Sequence, residues 1–236
     1  MSKLKYIFLL SGFMLMNHSL GFALPQGEQV VSGSASYSAN GNTLNIQQTS
    51  DKLIADYDSF SINPNEAVHF LQPSASSQAL NRVVGANPSS ILGHLTATGK
   101  IFLINPNGVL FGPNAQVDTS GLIASTLDIS NADFLNGNLK FMNAGEGVTN
   151  QGHLSSPGGY VVLLGSNVEN TGVIEADLGS VVLASGKAVT LNLDPQGLIS
   201  VALDEAGANT NVVSNQGTLN ADGGRVIAIP GTGRHG

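Results

Sequence analysis

Three pairs of acids are the residues of this 236-residue chain whose spacing could do chemistry. Asp56 and Asp58 stand two apart, as do Glu175 and Asp177, while Asp204 directly precedes Glu205. On an extended strand, residues two apart share a face, so either spaced pair would set two carboxylates side by side. Paired carboxylates are the apparatus of glycoside cleavage by general acid–base catalysis. Neither spaced pair has a basic residue nearby in sequence, and solvated surface acids account for all three pairs. The five histidines are scattered without the spacing of metal ligands. No phosphate loop, nucleophile elbow or dinucleotide fingerprint is present. The residues predict no enzyme, no metal site and no cofactor.

Asparagine and glycine carry the pattern instead, with 23 and 29 residues respectively. Val148-Thr-Asn150-Gln-Gly152-His-Leu154 is followed by Gly159-Tyr-Val161-Val-Leu163. The same unit returns as Val168-Glu-Asn170-Thr-Gly172-Val-Ile174 with Gly179-Ser-Val181-Val-Leu183. It returns again as Val213-Ser-Asn215-Gln-Gly217-Thr-Leu219 with Gly224-Arg-Val226-Ile-Ala228. A weaker copy lies upstream at Leu95, Gly99, Ile101 and Leu103. The unit is about 20 residues long, and the 45 residues from Asn170 to Asn215 suggest two coils with a small insertion. Apolar residues alternate within short segments divided by breakers, which is strand periodicity. The predicted fold is all-β, a parallel β-helix in which each unit forms one coil. One coil alone cannot offset the entropy of ordering it, so coils must stack. Asn150, Asn170 and Asn215 are then expected to form an asparagine ladder. The glycines two residues beyond them are expected at positions of positive φ.

Turn chemistry marks two further places. In Asn105-Pro106-Asn107-Gly108 proline presets φ for a tight turn, and Asn and Gly suit the following positions. Asn63-Pro64-Asn65-Glu66 reads as a second turn. Arg82 stands in a neutral segment, where it either ties the N-terminal cap to the first coil through backbone carbonyls or faces a partner.

Composition excludes several classes. With 16 acidic against 9 basic residues the chain lacks the basic surface of a nucleic-acid binder. Charged residues are only 11%, as expected where stacked like charges would lie about 4.8 Å apart. Lys3, Lys5, the apolar run Tyr6 to Met16 and the small residues before Ala23 read as a secretory signal cut between Ala23 and Leu24. The run is too short to span a bilayer, so no stable membrane insertion is expected. The absence of cysteine suits a chain exported unfolded through an oxidising periplasm.

The middle of the chain resembles a known family. The residues that carry this are Leu80-Asn81-Arg82-Val83-Val84-Gly85, Pro88-Ser89-Ser90-Ile91-Leu92-Gly93, Gly99 through Gly112 with Asn105-Pro106-Asn107-Gly108, and Gly121-Leu122-Ile123-Ala124-Ser125-Thr126-Leu127. Leu24-Pro25-Gln26-Gly27 and Asp58 through Pro73 fit the same pattern, with Tyr57 where many relatives have tryptophan. The run is similar to the N-terminal secretion domain of filamentous-haemagglutinin-type exoproteins of two-partner secretion in Gram-negative bacteria. That resemblance implies a right-handed β-helix with a capped N-terminus and extra-helical strands. It implies a non-catalytic role: engaging the POTRA domains of a dedicated outer-membrane β-barrel transporter and nucleating folding outside the cell. Leu80, Asn81, Arg82, Val83, Asn105, Pro106, Asn107 and Gly108 are the residues it points to for the transporter. The expected division is a signal at 1–23, a cap and first coils at 24–90, the β-helix at 91–230 and a tail at 231–236 where a longer exoprotein is cut short. A monomer at the cell surface or in the medium is expected. Two alternatives stay open: an adhesin binding a host-cell receptor or glycan, and a carbohydrate-active β-helix enzyme.

Overall fold

The computed structural model describes residues 23–143, 145–194, 198–205 and 212–231. Residues 1–22 of the expected signal and 232–236 of the expected tail lie outside the described residues.

The chain opens with β1 (Gln29–Ser32), β2 (Ala35–Asn40), β3 (Thr43–Gln48) and β4 (Lys52–Tyr57). The next coil is β5 (Ala67–Leu71), β6 (Gln78–Val83) and β7 (Ser89–Ile91), followed by β8 (His94–Ala97), β9 (Lys100–Ile104) and β10 (Val109–Phe111). β11 (Gln116–Asp118) and β12 (Gly121–Ser125) lead into an excursion of β13 (Asp128–Ile129), α1 (Asn131–Asn136) and β14 (Leu139–Met142), which returns at β15 (Val148–Asn150). β16 (His153–Ser155), β17 (Tyr160–Gly165) and β18 (Val168–Asn170) make a coil with no insertion. β19 (Val173–Glu175) and β20 (Ser180–Ser185) precede a second excursion, β21 (Ala188–Leu193) and β22 (Ile199–Glu205), before β23 (Val213–Asn215). β24 (Thr218–Asn220) and β25 (Arg225–Ile229) follow.

Successive coils stack in parallel to give three walls, ordered β1-β4-β6-β9-β12-β17-β20-β25, β2-β3-β5-β8-β11-β16-β19-β24 and β7-β10-β15-β18-β23. The protein is thus a parallel β-helix, and stacking runs from Thr43 through residue 90 without a break. Antiparallel β1 and β2 close its first coil, pairing with β4 and β3. The excursions meet outside the helix as an antiparallel sheet, β13-β14-β21-β22.

That cover explains the continuous apolar runs of the first wall. Inward Ile101, Leu122, Val161 and Val181 fill the helix interior. Their outward neighbours Phe102, Ile123, Val162 and Val182 form a second core with Phe134, Phe141, Val189 and Leu191 of the cover. A strand buried on both faces needs apolar residues at consecutive positions, as Val161 to Leu164 supplies.

Two sequence expectations are corrected. Asn170 pairs directly with Asn215, so the intervening residues are one coil plus the β21–β22 hairpin, not two coils. Gly152, Gly172 and Gly217 do not have positive φ. They are glycine because coils approach closely: a Cβ on Gly172 would lie 2.2 Å from Gly152 O, and one on Gly217 2.1 Å from Gly172 O.

Candidate functional site

Asn105 ends the β9 edge of the first wall and opens the turn to β10, which Gly108 finishes at φ 114°. Gly108 N donates to Asn105 O at 3.1 Å, closing the turn. The Asn105 side chain is fully buried and every polar site on it is used. Its Nδ2 donates to Asn87 O and to Ser89 Oγ, each at 3.0 Å. Its Oδ1 accepts from Asn107 N at 3.0 Å and from Asn107 Nδ2 at 3.2 Å. Asn107 Nδ2 also donates to Gly85 O at 2.9 Å, back in the preceding coil. Toward the following coil, Asn105 N donates to Ser125 O and Glu146 N donates to Pro106 O, both at 2.9 Å. Pro106 of this turn is exposed, Asn107 is half-buried, and Asn105 and Gly108 are buried. The turn therefore stitches three coils together.

Leu80 points outward under the cover, and Val83 points into the helix. Asn81 also points inward and is fully buried; its Nδ2 donates to Ala79 O at 3.2 Å and Phe102 O at 3.3 Å. Its Oδ1 has no hydrogen-bond partner. Arg82 points outward and anchors the first excursion. It donates to Asp128 Oδ1 at 2.9 Å, Asn131 Oδ1 at 2.9 Å, Ile129 O at 2.6 Å and Asp56 Oδ1 at 3.3 Å. A backbone carbonyl is among its partners, but the element it ties down is the extra-helical cover and not the cap.

Asn150, Asn170 and Asn215 stand one above another. Asn150 Nδ2 donates to Asn170 Oδ1, and Asn170 Nδ2 to Asn215 Oδ1, each at 2.7 Å. The expected cleavage point lies at the start of the described chain. Leu24 is buried in the helix core, and Ala23 N donates to Glu66 Oε1 at 2.9 Å. Glu66 Oε2 accepts from Asn63 N at 2.8 Å, so this buried carboxylate fastens the entry of the chain to the Asn63–Glu66 turn. In sequence that turn reads as turn chemistry alone. Its one signal was an acid where the other turn has glycine.

The acid pairs are dispersed among separate partners. Asp56 faces Arg82, whereas Asp58 packs against Gly27. Glu175 accepts from His153 Nε2 at 3.0 Å, Asp204 from Thr190 Oγ1, and Glu205 lies 3.5 Å from Lys187 Nζ. Among the described residues no three His, Asp or Glu side chains group to hold a metal, and no helix is long and apolar enough to cross a membrane.

Residues 22–234 match the family described as TPS secretion domain. A heme/hemopexin-binding protein of Haemophilus influenzae strain Rd is 41% identical over 208 residues, covering 84% of this chain and 23% of that protein. A second heme/hemopexin-binding protein of the same species is 41% identical over 106 residues, 44% of this chain and 11% of that one. The chain thus spans less than a quarter of the curated relatives it matches. The crystal structure of the HMW1 secretion domain from Haemophilus influenzae superposes with a TM-score of 0.79 at 34% identity, covering 87% of this chain and 57% of that one. The family is one of secretion domains and not one of enzymes. With its coils, cover and family match in agreement, the chain belongs to the TPS secretion domains of two-partner secretion exoproteins.

Proposed function

We propose that Leu80–Val83 and Asn105–Gly108 are an address read by the transporter's POTRA domains while the chain is extended, and that folding of the β-helix outside the cell then hides it. The observation that carries this is the burial of Asn105 with all its polar sites engaged internally. A partner can meet those amide groups only before the coils close. Asn81 supports the same reading, because an orphan acceptor inside an apolar helix costs about 1–3 kcal/mol in the folded state. Recognition of an extended segment by a sheet edge is β-augmentation: main-chain bonds give affinity, and alternate side chains give selectivity. Closure of the coils outside opposes return of the chain.

Co-expression with the partner transporter tests the proposal, with export of Asn81→Val, Asn105→Ala and Asn107→Ala compared with the parent chain. Asn81→Val separates the roles, since it removes the orphan acceptor and leaves the purified domain at least as resistant to urea. It is expected to be exported more slowly even so. Export of all three variants at the parental rate would remove these residues from the address.

A further inference from the structure

Three asparagines of the sequence precede glycine: Asn40, Asn107 and Asn136. In an Asn-Gly pair the glycine nitrogen can attack the asparagine Cγ, because glycine has no Cβ to hold the two apart and takes up many backbone conformations. The reaction needs a nitrogen free to lose its proton and a carboxamide free to swing toward it. Sequence makes the three pairs equal; the fold does not.

At Asn107-Gly108 both reactants are held. Asn107 Nδ2 donates to Gly85 O at 2.9 Å and to Asn105 Oδ1 at 3.2 Å, and the nitrogen of buried Gly108 donates to Asn105 O at 3.1 Å. At Asn136-Gly137 the side chain is exposed but the nitrogen is engaged: Gly137 caps α1 at φ 78°, and its N–H donates to Phe134 O at 3.2 Å. Asn136 is the last residue of α1, where the Cα–Cβ bond tilts toward the helix N-terminus and carries Cγ away from the following nitrogen. Lys52 Nζ fixes that helix end further, donating to Phe134 O and Leu135 O at 2.9 and 2.7 Å.

Asn40-Gly41 has none of these restraints. It forms the tip of the hairpin between β2 and β3, whose pairing runs from Ala35 opposite Gln48 to Asn40 opposite Thr43. Gly41 takes φ 57° at the first central position of this two-residue turn. Asn40 and Gly41 are both exposed, and beyond its chain neighbours no atom lies within 4 Å of a Cβ placed on Gly41. Among the described residues the Asn40 carboxamide has no hydrogen-bond partner and Gly41 N donates to none. Beside them, Asn42 Nδ2 donates to Asn65 O at 3.2 Å and ties the tip to the Asn63–Glu66 turn.

We propose that Asn40 is a site of spontaneous deamidation in the folded protein, and that the product loosens the N-terminal cap. Gly41 N bonds to Asn40 Cγ and the Cγ–Nδ2 bond breaks. Nδ2 leaves as ammonia with the proton that Gly41 N gives up, and a succinimide ring remains. Water then opens the ring, one of its protons restoring the Gly41 N–H. Addition at Cγ, with loss of the new Cγ–N bond, gives aspartate. Addition at the Asn40 carbonyl carbon, with loss of its bond to Gly41 N, gives isoaspartate. Both products add a negative charge, and isoaspartate adds one atom to the main chain. That atom breaks the match of Asn40 with Thr43 on which the two-residue turn depends. β2 covers the first coil through β3, so slack at the tip reaches Tyr37 and Leu44 at the end of the helix core.

Peptide mapping by mass spectrometry tests this on the purified chain, aged in warm, mildly alkaline buffer made with heavy-oxygen water. Asn40 is expected to convert at least about tenfold faster than Asn107 or Asn136, with heavy oxygen in the new carboxylate. In urea that unfolds the chain, the three are expected to convert at similar rates. The thermal midpoint of the aged parent is expected to fall, while aged Asn40→Ser, shown to be folded by its unfolding curve, keeps its midpoint. The proposal is overturned if Asn40 does not convert, if Asn107 or Asn136 converts as fast in the folded chain, or if the same preference persists in urea. It is overturned equally if the aged parent and aged Asn40→Ser keep the midpoints of their fresh forms alike.

Discussion

At the scale of single residues, one side-chain type does two jobs here. In the ladder, the Asn170 amide is both donor and acceptor along the axis, so removing this middle rung strands groups above and below it. Asn170→Ala would leave Asn150 Nδ2 and Asn215 Oδ1 without their 2.7 Å partners. The expected loss is about 2–3 kcal/mol, read from the urea midpoint of the purified chain. Asn105 works across coils by a closed set of bonds to Asn87, Ser89 and Asn107. Asn81 does neither job well, since its Nδ2 is bonded while its Oδ1 has no partner, and its proposed place in the address rests on that imbalance. The ladder was readable in the sequence because its rungs recur in identical contexts. The network of Asn105 was not, since its partners sit 16 to 18 residues back in an unrepeated coil.

At the scale of elements, the coils impose a demand that the residue pattern shows only indirectly. Gly152, Gly172 and Gly217 answer to the neighbouring coil's backbone and not to their own φ. Two substitutions distinguish these causes. Gly172→Ala would drive a Cβ to 2.2 Å from Gly152 O, whereas Gly137 ends α1 at φ 78° with nothing within 4 Å of a Cβ. Gly172→Ala is expected to cost about 3 kcal/mol or more. Gly137→Ala should cost about 1–2 kcal/mol, the penalty of a left-handed conformation alone. Thermal unfolding of the two variants checks the order; equal losses would mean that coil contact is not what selects glycine at position 172. The excursions escaped sequence reading for a related reason. β21, Ala188–Leu193, alternates like a coil strand, so its spacing resembled another coil. The consecutive buried residues of β17 and β20 were the available clue, because a wall covered on both faces needs no polar alternation.

At the scale of the whole molecule, the parallel β-helix and its family were readable from sequence, while the antiparallel cover was not. Lys100 and Tyr160 are far apart in the chain and come together only through coil register across Gly121. No local pattern announces such a meeting. The same register governs the proposed address: Asn81 and Asn105 can offer their amide groups to a partner only while the coils are apart. Fluorescence anisotropy of the partner transporter's purified POTRA region, titrated against a peptide of residues 78–111 and against the folded chain, tests this most directly. The peptide is expected to bind, and the folded chain to bind at least about tenfold more weakly, because its binding-competent open form is a small fraction of the population. Equal or tighter binding by the folded chain, or no binding by the peptide, would contradict the account.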